Sequence, residues 1–293
     1  MRAAAARYGY GLGVGLLALG FGISGPTAEA EGPPSVKDVL RRVAAYVDSY
    51  GERAAIVVAS ERYKQETKGN SSTVHTDRDL VSEFAIVKVD TVSRWLGFRD
   101  VLEVDGRRLS DHEDRLIRSL TGGGAGYQEA LRLSNESARF NIGSIERNFN
   151  VPTTALFYFA SANQDRFKFS AKTVDADGLW HIAFKETYKP TLIRTPEGQS
   201  VPSEGELWAN PADGTVVRTI LKTELIGIKR SRLQHGTGRV EVTYRLVEEL
   251  GMWLPGRMTE MFESRGPNNT WERVDGTAEY SNYRKFTTSV RIK

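Results

Sequence analysis

Residues 205–225, GELWANPADGTVVRTILKTEL, decide the fold of this chain. Two runs in which apolar and polar residues alternate lie on either side of the segment NPADG at residues 210–214. Alternation with a period of two is typical of a strand with one buried face, and a short segment rich in Asn, Pro, Asp and Gly is typical of a tight turn. The stretch therefore predicts two antiparallel strands joined by a turn.

The same pattern continues on both sides of this hairpin. From residue 166 to the C-terminus, each alternating run is separated from the next by Gly, Pro, Asn or Asp, and the further runs lie near 167–169, 180–185, 238–247, 253–263 and 272–286. Such spacing favours an antiparallel meander over parallel βαβ units. Nearer the N-terminus, strands are predicted at 54–66, 81–90 and 95–108, and the last of these closes on the turn signal Asp105-Gly106.

A first helix is predicted over residues 36–50. Apolar residues recur there at spacings of three and four, which is one amphipathic stripe. Ser35 is positioned to cap the start of the helix, and Gly51 is predicted to end it.

A helical insertion is predicted at about 110–164, between the two groups of strands. Its first helix opens at Ser110 with early acids and ends at the glycine run 122–124; a second covers about 128–140 and a third about 152–164. Together these elements predict an α+β fold in which a curved antiparallel sheet, a half-open barrel, is covered by helices. Residues 31–293 are predicted to form a single domain.

The N-terminus has the pattern of a signal peptide over residues 1–30. Basic residues are followed by an uncharged stretch and then by the small-x-small pattern Ala28-Glu29-Ala30, which predicts cleavage after Ala30. The apolar run is short and rich in glycine, so a stable transmembrane anchor is not expected. The mature protein is expected to be soluble and to work in the periplasm or outside the cell.

The composition of the chain argues against one class of partner and excludes every site that needs cysteine. The chain has 40 Lys and Arg against 37 Asp and Glu, and this near balance argues against a nucleic-acid partner. It contains no cysteine, so disulfides, thiolate metal sites, cysteine nucleophiles and an N-terminal lipid anchor on cysteine are excluded.

No motif for catalysis, metal or cofactor binding is found. The four histidines are far apart, and the acidic string 111–114 (DHED) on a helix start cannot converge on one ion. The glycine run at 121–126 lacks the Lys-Ser/Thr ending of a phosphate loop, and no G-x-S-x-G elbow occurs. We therefore predict no catalytic residue, no metal ligand and no cofactor.

Aromatic residues on the predicted strands are the best candidates for a binding site. Alternation gathers several of them on one face, and Trp180, Phe184, Trp208 and Tyr244 are predicted to line an apolar cavity. The alternative is that they are ordinary core residues, since large apolar side chains are buried by default.

The order of elements resembles the periplasmic lipoprotein-carrier family, which has the LolA/LolB-like fold. The resemblance is carried by the Trp208 strand with its NPADG turn, by residues 244–258 (YRLVEELGMWLPGRM) and by the closing strand AEYSNYRKF at 278–286. The closing strand also resembles those of uncharacterised exported bacterial proteins with this fold. The resemblance implies a half-open antiparallel barrel covered by helices and a hydrophobic ligand. No residue of this sequence is matched to the arginine that locks the lid in that family.

Three functions are compatible with these observations. The first is an exported binding protein that takes a lipid, a lipoprotein acyl chain or a similar amphiphile into an apolar cavity. The second is a structural or interaction protein of the cell envelope without a small ligand. The third is a hydrolase whose site has no recognisable motif.

Overall fold

The computed structural model describes residues 34–70, 76–89, 94–109, 115–145, 147–195, 197–229 and 232–286. The predicted signal peptide with its cleavage site at Ala30 lies outside the described residues. The same holds for Ser110 and the acidic string 111–114, where the insertion was predicted to begin.

One antiparallel sheet of 11 strands, in the order β4-β3-β2-β1-β11-β10-β9-β8-β7-β6-β5, organises the described part of the chain. The sheet is not closed, because β4 and β5 are its two edges. This confirms the predicted α+β class with an antiparallel sheet covered by helices. The strands are β1 (Val57–Gly69), β2 (Asp77–Val89), β3 (Arg94–Val104), β4 (Arg107–Arg108), β5 (Phe167–Val174), β6 (Trp180–Glu186), β7 (Ser203–Ala209), β8 (Val216–Lys229), β9 (Arg232–Val247), β10 (Met252–Arg265) and β11 (Trp271–Lys285).

The N-terminal helix α1 (Val36–Ala54) begins where it was predicted to begin. Ser35 accepts a hydrogen bond from the backbone N–H of Asp38, whose carboxylate accepts from Ser35 in return, and this is a capping box. The prediction that Gly51 ends the helix is wrong, because the helix continues to Ala54. Gly51 is needed for packing instead, since a Cβ there would overlap the indole of Trp95.

The first part of the helical insertion is a pair of helices, α2 (Arg115–Thr121) and α3 (Gly123–Ala138). α2 ends just before the glycine run 122–124, as predicted, but α3 begins within that run, at Gly123, rather than near residue 128. Glycine is required inside α3 because a Cβ at Gly126 would overlap the carbonyl of Ser119, where the two helices approach closely.

Residues 139–166, with residue 146 not described, form what we call the cap segment. The predicted third helix at 152–164 is reduced to α4 (Thr154–Phe157) and a 3₁₀ turn at Gln164–Arg166. Most of the cap segment is turn and irregular chain.

The two parts of the insertion cover opposite faces of the sheet. We call the face that packs on α1 and the cap segment the inner face; it forms the main core with residues such as Tyr63, Phe184 and Leu207. The outer face packs on α2 and α3 only at β1, β2 and β3, where a second core forms from Val58, Ala85, Val87, Phe98, Leu116, Ala130 and Leu133. Elsewhere the outer face carries charged and polar residues, as expected of an antiparallel sheet with one solvated side.

Candidate functional site

The cap segment runs across the inner face of the sheet and is fastened mainly by side chains. At its start, the Oγ atoms of Ser144 and of Ser264 on β10 are 2.9 Å apart. In its middle, the hydroxyl of Tyr244 on β9 donates to the carbonyl oxygen of Pro152 at 2.8 Å. Near its end, Gln164 Nε2 donates to the carbonyl oxygen of Leu40 on α1 at 2.8 Å. None of the described residues of the cap segment belongs to a strand of the sheet.

The part of the inner face formed by β1, β10 and β11 is polar and buried. Arg147 of the cap segment forms an ion pair with Glu260 on β10, with 2.9 Å between Nη2 and Oε1, and both side chains are 0% exposed. Arg147 Nη2 also donates to Gln65 Oε1 at 3.0 Å, and the hydroxyl of Tyr63 donates to Glu260. Asn150 Nδ2 donates to the Tyr63 oxygen at 3.1 Å.

A second buried ion pair lies beside the first. Arg99 on β3 donates from Nε and Nη2 to the two carboxylate oxygens of Glu61 on β1. The hydroxyl of Tyr280 donates to Glu61 Oε1 at 2.7 Å, and Arg99 Nη2 lies 3.4 Å from the carbonyl oxygen of Asn150. The two pairs thus contact each other through Asn150, and we call the whole set the buried ion network.

The protonation states in the buried ion network follow from burial and from neighbouring charges. Burial, together with the negative charge of Glu260, raises the pKa of Tyr63 well above its usual value. Burial and the charge of Glu61 do the same to the pKa of Tyr280. Burial alone would lower the pKa of Arg99, but the adjacent carboxylate of Glu61 raises it. The tyrosines are therefore neutral donors, and two arginines balance two carboxylates.

The part of the inner face formed by β5 to β8 is mainly apolar, although Glu186 on β6, which pairs with Arg166, is buried there as well. Phe184 on β6 lies 5.2 Å from Phe159 and 6.2 Å from Tyr158, measured between ring centroids, and both partners belong to the cap segment. Tyr158 also stacks on Phe167 at 5.1 Å. Ile182, Leu207 and Leu221 complete this buried surface. We call the part of the inner face formed by β5 to β8 the aromatic half, and the part formed by β1, β10 and β11 the ionic half. The cap segment contacts both.

The four predicted cavity residues do not all meet. Phe184 and Tyr244 are buried on the inner face, and Trp180 lies on the same face of β6, half-buried. Trp208 lies on the outer face, because it is directly opposite His181, one position out of phase with Trp180 and Phe184. There it stacks on His181 at 4.2 Å, and the Arg218 guanidinium lies 4.4 Å from the ring centroid.

The buried ion network was missed in the sequence, although a signal was present. Glu61 and Gln65 occupy the same phase of β1 as Ala59 and Tyr63, which is the buried phase. Glu260 likewise stands between Met258 and Phe262 on β10. A charged residue at a position that alternation assigns to the core indicates a buried partner, because an unpaired buried charge is very costly.

Neither a metal cluster nor a membrane-spanning helix is found in the described ranges. No group of three His, Cys, Asp or Glu side chains there is placed to hold a metal ion. No helix among these residues is both long enough and apolar enough to cross a membrane.

The sequence matches no family model and no curated protein. Two solved structures are similar in outline. A DUF1329 family protein from Desulfovibrio piger is 11% identical, with a TM-score of 0.33, over 88% of this chain and 95% of that chain. A LolA superfamily protein from Nitrosomonas europaea is 12% identical, with a TM-score of 0.31, over 84% of this chain and 96% of that chain.

Proposed function

We propose that this protein binds a lipid, an acyl chain or a similar amphiphile between the inner face of its sheet and the cap segment. The observation that carries the proposal is the construction of the cover. An extended sheet with an aromatic inner surface is covered by one helix and by an irregular segment fastened through side chains. Such a segment can leave the sheet without breaking any strand pairing.

The aromatic half of the inner face supplies the apolar surface that an acyl chain needs. Phe184, Phe167 and Leu207 are each less than 10% exposed beneath Tyr158 and Phe159. Removing apolar surface from water is worth roughly 25 cal/mol per Å². A ligand that displaces the cap side chains regains this stabilisation, so the cap and the ligand compete for one surface.

The ionic half provides polar side chains under the same cap segment, next to the aromatic half. Arg147 Nε and Glu260 Oε2 are buried and have no hydrogen-bond partner among the described residues. Buried polar atoms are usually paired. Here the Nε of Arg147 can still donate a hydrogen bond to a ligand, and the Oε2 of Glu260 can still accept one. An amphiphile matches this division into an apolar and a polar end.

The proposed setting is the periplasm or the exterior of the cell, as the predicted signal peptide implies. The proposed ligand is taken up by the soluble protein. The other reading, an envelope protein whose cap is a permanent part of its core, is supported by the close packing of Tyr158 and Phe159 on Phe184.

A reversible lock on the cap segment distinguishes the two functions. The chain has no cysteine, and the Oγ atoms of Ser144 and Ser264 are 2.9 Å apart, so the double variant Ser144→Cys/Ser264→Cys places two sulfurs within bonding reach. Binding of a fluorescent fatty acid is measured with the disulfide formed and again after reduction, beside mass spectrometry of an organic extract of the purified protein.

We expect binding by the reduced double variant and by each single variant, and at least tenfold weaker binding by the oxidised form. Binding that is equal in the oxidised and reduced forms would show that the cap does not have to move. Absence of lipid from the extract together with absence of binding by the unmodified protein would favour the envelope protein instead.

A further inference from the structure

We propose that a lysine-lined cleft on the outer face of the sheet binds a phosphate group carried by a ligand the size of a glycerophosphate. The cleft has a volume of about 470 Å³ and lies over β5, β6, β7 and β8. Its charged side chains lie on the opposite face from the cap segment, and Phe169 and Phe184 of the inner face also contribute to its lining.

Small side chains form the floor of the cleft. Ser170 on β5 and Ala183 on β6 are directly opposite each other and point to the outer face. Longer side chains stand around them: Lys168 and Lys185 on one side, and Lys172 and Glu206 on the other. The hollow therefore results from two small residues among long ones, and the Ser170 hydroxyl is a donor at its floor.

Two of the lysines form a cross-strand pair of like charge. Lys168 and Lys185 are directly opposite each other in the β5–β6 register, with both side chains on the outer face. Like charges at directly opposite positions destabilise a sheet. Lys185 has Glu204 at 3.2 Å, whereas no carboxylate of a described residue lies within ion-pair distance of Lys168. An anion between the two ammonium groups would remove this repulsion.

The carboxylates that line the cleft do not balance its lysines. Glu206 lies 3.4 Å from the Nζ of both Lys172 and Lys222, and 2.9 Å from Nε2 of His181. Burial alone would raise the pKa of Glu206, but the hydrogen bond from His181 and the two lysines lower it, so this carboxylate is ionised at neutral pH. Four lysines thus face two carboxylates, which leaves a net charge of about +2.

Phosphate fits this arrangement in charge and in chemistry. A phosphate monoester carries roughly −1.5 to −2 charges at pH 7, which matches the excess of the cleft. Its oxygens accept hydrogen bonds, and lysine binds phosphate as a point charge. A cleft of about 470 Å³ has room for a small organic group attached to the phosphate. A phosphate ester of this kind occurs as a free monoester and, as a diester with a single negative charge, in phospholipid headgroups.

The test uses the purified mature chain and two probes. Binding of glycerol 3-phosphate is measured by calorimetry, and binding to vesicles is measured by co-sedimentation, with phosphatidylglycerol vesicles compared with phosphatidylcholine vesicles. The test variant is Lys168→Gln/Lys185→Gln. The matched control is Lys64→Gln/Lys68→Gln, which removes the same charge from the outer face of β1, away from the cleft.

We expect the unmodified protein and the control variant to bind at least one probe, and the test variant to bind it at least tenfold more weakly. Binding of glycerol 3-phosphate would identify a free ester as a sufficient ligand, and binding of phosphatidylglycerol vesicles alone would identify a headgroup. Sodium chloride is added to equal ionic strength in all samples. Equal weakening in both double variants, or no binding of either probe by the unmodified protein, would overturn the proposal.

Discussion

Arg147 and Glu260 form the least expected contact in the interior. Taking two charges out of water costs several kcal/mol per ion, and their attraction offsets this only when the remaining polar atoms are also bonded. Arg147 meets that condition in part, because it donates to Gln65 and to the carbonyl oxygen of Ile142 as well as to Glu260. We therefore expect the pair to specify where the cap segment lies on the sheet.

Replacing Arg147 with methionine tests this role. Met is unbranched and apolar and has no charge, so Arg147→Met leaves Glu260 buried without its cation. We expect a loss of roughly 3–5 kcal/mol in the free energy of unfolding, as for other broken buried pairs. Urea unfolding followed by circular dichroism measures it.

The matched control is Arg139→Met, an exposed arginine of the same segment. Its effect should stay within about 0.5 kcal/mol. The double variant Arg147→Met/Glu260→Met should be less destabilised than the sum of its single variants, because it leaves no unpaired charge. Equal losses for Arg147→Met and Arg139→Met would mean that the ion pair does not stabilise the fold.

Single residues of the site were the hardest part to predict from the sequence. Phe184 and Tyr244 were recognised as inward-facing because they follow the alternation of β6 and β9. Trp208 follows the opposite phase of its own strand, and only the strand register reveals this. Arg147 lies in an irregular segment that has no periodicity, so its partner across the chain could not be identified from spacing.

The turn at 210–214 contacts α1 closely. Gly214 has φ of +79°, and a Cβ there would overlap the backbone of Arg42 on α1. Arg42 in turn donates from Nη1 to the carbonyl oxygen of Pro211 at 2.6 Å. The turn thus requires glycine for its conformation and also for its contact with the helix.

A pair of glycine substitutions separates these two requirements. Gly178 has φ of +78°, but no atom lies within 4 Å of the position its Cβ would take. Gly178→Ala should therefore cost only the conformational penalty, about 1–2 kcal/mol. Gly214→Ala should cost about 1–3 kcal/mol more, because α1 or the turn has to shift. Thermal unfolding of both variants, measured side by side, checks the difference.

Equal losses in the two variants would show that α1 adapts to the turn at no cost.

The predictions of secondary structure were most accurate for turns and caps that carry a local sequence signal. The hairpin around NPADG, the Asp105-Gly106 turn and the Ser35 cap carry local signals, and the structure has all three. The predicted helix at 152–164 failed because its apolar residues pack on the aromatic half of the sheet as turns, with only Thr154–Phe157 helical.

At the scale of the whole molecule, one sheet separates two cores of unequal size. Among the described residues, the main core on the inner face contains 38 buried apolar residues, and the second core under α2 and α3 contains seven. Arg115 links α2 to β3 through Asp100 at 2.6 Å and to α3 through Glu136 at 2.9 Å. The alternation of β2 and β3 did not reveal this division, because both faces of these strands are buried in part.

The unequal cores predict that α2 and α3 open independently of the sheet. Leu133 on α3 is 2% exposed and belongs to the second core, so Leu133→Ala should destabilise that core by roughly 2–5 kcal/mol. Regions with few buried apolar contacts open at lower free energy than the global unfolding. In hydrogen exchange followed by mass spectrometry, we expect faster exchange in 115–138 and unchanged exchange in β8, β9 and β10.

The control is Leu207→Ala on β7, a fully buried residue of the main core, which should speed exchange across the sheet. If Leu133→Ala instead speeds exchange throughout β8 to β10, the two cores unfold as one unit.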